Sequence, residues 1–208
     1  MNRCKICFHH LDEGCTLSQY FFNQDVICGS CRRKMHSLNQ IYKYHNLYIH
    51  ALYLYDEFME SLMFQYKEGR DIAISDIFLK PYQKQLVDKY RHMTWQLMPS
   101  SEDKIRQRGF HHLECMLEGM DICIGKDFVK TQNYKQSRQK AKERQKIGEF
   151  IQLSAQIREP FIFFDDVCTS GNTLLSAARL IGDENRMIHC LVISIHPMFV
   201  EMCDAFQL

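Results

Sequence analysis

The sequence predicts an α/β domain, a parallel sheet flanked by helices, preceded by a small cysteine-rich module. Three observations carry this. Short apolar runs rich in aromatic and β-branched residues, at 47–55, 94–98, 161–164 and 187–195, alternate with longer helix-like stretches. Strands that alternate with helices pair in parallel. Two Cys-x-x-Cys pairs fall within the first 31 residues. And 208 residues with 46% hydrophobic, 12% aromatic and 25% charged side chains are an ordinary globular mixture, enough for one good core and a satellite.

The N-terminal pairs are Cys4-Lys5-Ile6-Cys7 and Cys28-Gly29-Ser30-Cys31, with 20 residues between them. Two residues between ligands let a tight turn aim both sulfurs at one ion, and two such knuckles supply the four thiolates of a structural zinc site. Cys15, His9 and His10 lie in the intervening loop as alternative ligands. A closed four-thiolate site has no open position for a substrate; its role is to hold together a segment with little core of its own. The module is placed at residues 1–44 and the α/β domain at 45–208.

Along the domain, residues 57–68 form a short helix with Gly69 as its stop. Residues 71–92 are helical with a break at Pro81. The run 94–98 is a strand ended by Pro99, and 104–120 is helical. Residues 161–164 form a strand, 173–181 a helix and 187–195 another strand.

Charge narrows the function classes. Lys and Arg total 26 against 25 Asp and Glu, a net charge of +1. This excludes a globally basic nucleic-acid binder but not a local patch. Residues 130–146 carry seven basic side chains and one acid, Glu143, so the rest of the chain is net acidic. Such a segment buries little apolar surface and reads as a mobile loop or an exposed helix. No apolar run of about 18 residues exists to span a membrane. The N-terminal residues MNRCKICFHHLDE lack the apolar core of a secretory signal. A cytoplasmic protein with reduced thiols is expected.

Residues 161–173, FIFFDDVCTSGNT, are the most informative. An apolar strand delivers Asp165 and Asp166, and a small-residue turn, Thr169-Ser170-Gly171-Asn172-Thr173, opens a helix. Ligands of parallel sheets bind at the carboxyl ends of strands. The turn offers backbone N–H groups, hydroxyls and a helix start to one anion, and Gly171 lets the backbone approach a phosphate without a Cβ in the way. The adjacent carboxylates can accept hydrogen bonds from two neighbouring sugar hydroxyls or hold Mg²⁺ through water. One short segment thus reads a sugar diol together with its phosphate.

This segment resembles the 5-phosphoribosyl-1-pyrophosphate (PRPP) signature of type I phosphoribosyltransferases. The resemblance puts Asp165 and Asp166 on the ribose and Thr169, Ser170, Gly171, Asn172 and Thr173 on the 5′-phosphate. Nearly the whole chain resembles the ComF family of bacterial competence proteins. The motifs that carry this are Cys4/Cys7/Cys28/Cys31, Pro99 with Arg108-Gly109-Phe110, Lys135-Gln136 with Arg144, and 165–173. The resemblance implies a phosphoribosyltransferase-like sheet with zinc in the leading module and Mg²⁺ arriving with PRPP. It implies a role in DNA uptake and natural transformation, with single-stranded DNA and the helicase-like ATPase of the same system (ComFA-type) as partners. Arg106, Arg108, Lys135, Arg138, Lys140, Lys142 and Arg144 become the side chains for pyrophosphate or for DNA, with Tyr134 or Phe110 to stack on bases. The alternative is an active phosphoribosyltransferase that transfers phosphoribose to an unidentified acceptor. No residue is singled out as catalytic, and no acceptor pocket is evident in the sequence.

Overall fold

Three of the apolar runs are buried along nearly their whole length, which is what a strand covered on both faces requires. In the computed structural model, which describes residues 3–11, 25–130, 151–182 and 186–206, they become β2 (Leu47–Leu54), β7 (Phe161–Cys168) and β8 (Ile188–Ile195). Between and around them lie α1 (Gly29–Lys34), β1 (Ser37–Tyr44), α2 (Glu57–Lys67), a 3₁₀ helix (Ile72–Ile77) and α3 (Gln83–Tyr90). Then follow β3 (Thr94–Leu97), α4 (Glu102–Arg108), α5 (His112–Met116), β4 (Cys123–Gly125), β5 (Phe128–Lys130) and β6 (Ile151–Leu153). After β7 come α6 (Asn172–Leu180), β8, α7 (Pro197–Val200) and β9 (Asp204–Phe206).

Seven strands form one mixed, mostly parallel sheet in the order β4-β3-β7-β8-β2-β1-β9. The five from β4 to β2 are mutually parallel, and β1 is antiparallel to both of its neighbours. β5 and β6 make a separate antiparallel ribbon.

The period of two along β7 sorts the core into two layers. Ile162 and Phe164 pack with Leu52, Leu191, Ile193 and the buried faces of α2, α3 and the 3₁₀ helix. Phe161 and Phe163 pack with Ile49, Ala51, Val192 and the inner face of α6. The first layer also takes in Cys4, Ile27, Cys28, Cys31 and Met35, so the cysteine module shares the core of the sheet. Arg32 ties the two together. Its guanidinium meets Asp25 at 2.6 Å, the Tyr53 hydroxyl at 3.1 Å and the Ile77 carbonyl at 2.8 Å.

The elements differ from the sequence expectation in four places. The boundary at residue 44 falls inside the β1–β2 hairpin, because β1 pairs along its length with β2. The helix expected at 104–120 is two helices, since Gly109 adopts φ 87 and ends the first in a left-handed cap. The stretch 71–92 is a 3₁₀ turn followed by α3, separated around Pro81. And β7 runs on to Cys168, so the two acids lie within the strand.

Candidate functional site

β3 is followed on one side by β4, and β7 on the other by β8, so the strand order reverses between β3 and β7. The crevice at the carboxyl ends of these two strands is a topological switch point, the place where open α/β sheets bind ligands. Asp165 and Asp166 stand at its floor.

Asp166 is buried and occupied. Its Oδ2 is ion-paired with the Lys67 ammonium and lies 2.9 Å from His112 Nε2. Its Oδ1 accepts the Val167 N–H at 2.7 Å. Asp165 Oδ1 accepts the Asp166 N–H at 2.9 Å.

The partners are placed by ordinary packing. α2 starts on Asp56, whose side chain accepts the Met59 N–H at 2.9 Å, an N-cap. The helix buries Met59, Leu62, Met63 and Tyr66 on one face, and its last turn carries Lys67 to the acids. The Tyr66 hydroxyl donates to the His112 carbonyl at 2.6 Å and so fixes the start of α5 to α2.

The electrostatics follow from this. Burial works against ionisation of Asp166, but Lys67 and His112 outweigh it and hold the carboxyl well below the usual range. Among the described residues Asp165 has no such partner. Burial, reinforced by the charge of Asp166, pushes its carboxyl up to about 7.

The turn after β7 has the form an anion needs. Gly171 is left-handed at φ 68 and caps the start of α6. Thr169, Ser170 and Asn172 are exposed and Thr173 is half-buried.

Cys4, Cys7, Cys28 and Cys31 converge, their sulfurs all within 4.8 Å of one another. Cys7 Sγ and Cys28 Sγ are 3.6 Å apart. A metal–sulfur distance of about 2.3 Å in a tetrahedron puts sulfurs about 3.8 Å apart, so the donor set is compatible with a zinc ion. Burial raises the Cys4 thiol, but backbone N–H groups of Cys7, Cys28 and Ile6 outweigh it and bring it down to about 7, favourable for a metal thiolate. His9 and His10 are not in the cluster, and Cys15 lies outside the described residues.

No family model matches the chain. Over 135 residues it is 23% identical to the competence protein ComFC of Streptococcus pneumoniae (strain ATCC BAA-255 / R6), covering 64% of this chain and 61% of that protein. Over 141 residues it is 26% identical to the competence protein ComFC of Bacillus subtilis (strain 168), covering 65% of this chain and 58% of that protein. The chain is thus similar to two competence proteins of the ComFC type. It spans about three fifths of the length of these two relatives.

The ComFC-like chain does not bring all of its expected basic residues to the crevice in the same way. Arg106 is exposed and pairs with Glu102 at 3.2 Å, one helical turn away. Arg108 is buried: Nε donates to the Lys67 carbonyl at 3.2 Å, Glu68 is 3.9 Å away, and the guanidinium sits 6.0 Å above the Phe110 ring. It therefore braces the backbone of Lys67. Lys135, Arg138, Lys140, Lys142, Arg144 and Tyr134 lie outside the described residues. Lys130, at the end of β5, is within electrostatic reach of both acids. Arg32, in the basic run after Cys31, is committed to the interior and is not a surface cation.

The ComFC-like sequence alone did not point to Lys67 or His112. Lys67 closes an amphipathic helix just before Gly69, and His112 follows the Arg-Gly-Phe step. Both positions were visible, but neither motif says which strand it will meet. Beside the crevice a cavity of about 190 Å³ is lined by Leu97, Pro99, Ser100, His111, Phe128 and Lys130, among others. Among the described residues no helix is long and apolar enough to cross a membrane.

Proposed function

We propose that this chain is a competence protein that handles incoming single-stranded DNA and binds PRPP in the β3–β7 crevice. The observation that carries the reading is the pairing of an acid in the carboxyl-terminal half of β7 with a left-handed glycine turn at a switch point. Asp165 accepts hydrogen bonds from the ribose hydroxyls, and the Thr169–Thr173 turn receives the 5′-phosphate at the start of α6. The similarity to two ComFC proteins supports the competence role. The cytoplasm and a ComFA-type ATPase partner belong to the same reading, as does Mg²⁺ carried in on the PRPP.

The test is a PRPP titration of the full chain with and without single-stranded DNA. PRPP binds the wild type and is lost in Asp165→Asn. Unchanged PRPP affinity in that variant overturns the site. DNA affinity falls steeply with salt, and neutralising Lys140, Lys142 and Arg144 flattens log affinity against log salt by roughly 0.7 for each phosphate left without its cation. An unchanged slope removes the basic segment from the DNA interface.

A second reading, an active phosphoribosyltransferase, is favoured by one observation. The cavity of about 190 Å³ at the end of β3 has Leu97, Pro99 and Phe128 as apolar walls and Glu102, His111 and Lys130 as polar groups, a mixed lining that offers room to a small planar acceptor. Pyrophosphate release from PRPP on addition of nucleobases distinguishes the two readings.

A further inference from the structure

The four carboxylate oxygens of Asp165 and Asp166 are not equally available. Asp165 Oδ1 holds the Asp166 N–H at 2.9 Å, and Asp166 Oδ1 holds the Val167 N–H at 2.7 Å. Asp166 Oδ2 faces two nitrogen groups at once, the Lys67 ammonium in an ion pair and His112 Nε2 at 2.9 Å. Among the described residues nothing occupies Asp165 Oδ2, which is left to meet a ligand.

We infer that Lys67 is a resident counter-cation of the acid pair, so that the crevice takes a phosphorylated sugar diol through Asp165 without a protein-bound divalent metal. Any metal ion in the complex then travels on the ligand's own phosphates. The inference deepens the phosphoribosyl reading and rests on it for the nature of the ligand.

Two arguments support it. First, the ammonium is fixed. The α2 backbone is anchored by four buried side chains, and the Lys67 carbonyl is held by Arg108 Nε at 3.2 Å. The Lys67, Asp166 and His112 side chains are 21%, 9% and 6% exposed, so water does little to screen the contact. Second, Mg²⁺ needs a near-octahedral shell at about 2.0–2.1 Å and gives up its waters reluctantly. To bridge the two acids it would have to displace the Lys67 ammonium from Asp166 and share that carboxylate oxygen with His112. Lys67 thus acts through Asp166, as a positioning residue: it neutralises one acid and leaves the other to the diol.

The probe is Mn²⁺ titrated into the full chain and followed by electron paramagnetic resonance. Wild type and Lys67→Arg show no saturable site at the acid pair. Lys67→Met gains one, bound about tenfold or more tightly than in wild type, as expected when a neighbouring like charge is removed. Adding Asp165→Asn to Lys67→Met abolishes the gained site. A Mn²⁺ site in wild type that Asp165→Asn removes overturns the inference. So does a folded Lys67→Met variant without the gain. If Lys67→Met does not fold, the wild-type titration decides by itself. Failure of PRPP to bind the wild type under any condition sinks the phosphoribosyl reading instead, and the Mn²⁺ result stands apart from it.

Discussion

Gly171 is the residue on which the turn's shape depends most directly, and the structure separates the two reasons. Its φ of 68 lies in the left-handed region, and a Cβ built on it falls 2.7 Å from Phe199 Cζ and 3.3 Å from Phe199 Cε2. Phe199 is 1% exposed and is held edge-on by Tyr44 with ring centroids 4.7 Å apart, so it cannot step aside freely. Gly109 shares the backbone problem at φ 87 but has nothing within 4 Å of its Cβ position. Gly109→Ala therefore measures the backbone term alone. Left-handed backbone costs an alanine about 1–2 kcal/mol, offset by about 0.4–1 kcal/mol from reduced freedom of the unfolded chain. A net loss of about 1 kcal/mol is expected. Gly171→Ala adds a core overpacking term of about 1–3 kcal/mol, for a total of about 3 kcal/mol. At roughly 2–4 °C per kcal/mol for a chain of this size, Gly109→Ala lowers Tm by about 3 °C and Gly171→Ala by about 9 °C. The assay is thermal unfolding by circular dichroism, repeated in a Phe199→Leu background. There the excess of Gly171→Ala over Gly109→Ala disappears. Equal shifts for the two glycines in the wild-type background refute the reasoning.

Three further outcomes follow from the same geometry. One zinc ion per chain is expected by elemental analysis, and Cys28→Ser releases it and yields aggregating protein; a folded, metal-free wild type contradicts this. Asp166→Asn is more than a ligand-contact change, because it strips the counter-charge from buried Lys67 and His112; a loss of about 3–5 kcal/mol in urea unfolding is expected, against a much smaller one for Asp165→Asn. His50 is buried, 2.9 Å from Asn39 Oδ1 and 3.1 Å from the Tyr90 hydroxyl, and burial, with Lys89 adding to it, lowers its pKa to about 4. Its unfolded value is about 6.5, so its contribution is complete above that pH and is lost as pH falls to about 4. The stability advantage of wild type over His50→Gln shrinks by about 3 kcal/mol across that window, read from urea midpoints at a series of pH values.

What the sequence made legible was local. The cysteine pairs are recognisable because two-residue spacing and thiolate chemistry leave few other uses for them, and the four sulfurs do converge. The acids and the glycine turn are recognisable because strand, carboxylates and helix start are contiguous in the chain. Lys67 and His112 are 99 and 54 positions before Asp166, and their meeting is a product of how α2 and α5 pack on β7. The short strands β4, β5, β6 and β9 have three residues each, too few for a period of two to stand out. β1 was hidden by its composition: SLNQIYKY alternates weakly and buries only Ile41 and Tyr42, and it becomes a strand because β2 and β9 supply partners.

The sharing of one core by the cysteine cluster and the sheet has a thermodynamic consequence. Cys4, Cys28 and Cys31 touch the same apolar layer as Phe164, the residue next to Asp165. Any ion taken up by the four sulfurs is therefore linked to unfolding of the whole sheet rather than of a detachable finger. By mass action a ligand at 100 times its Kd adds about 2.7 kcal/mol to the folded state. The population of intact crevices then becomes a function of free metal concentration.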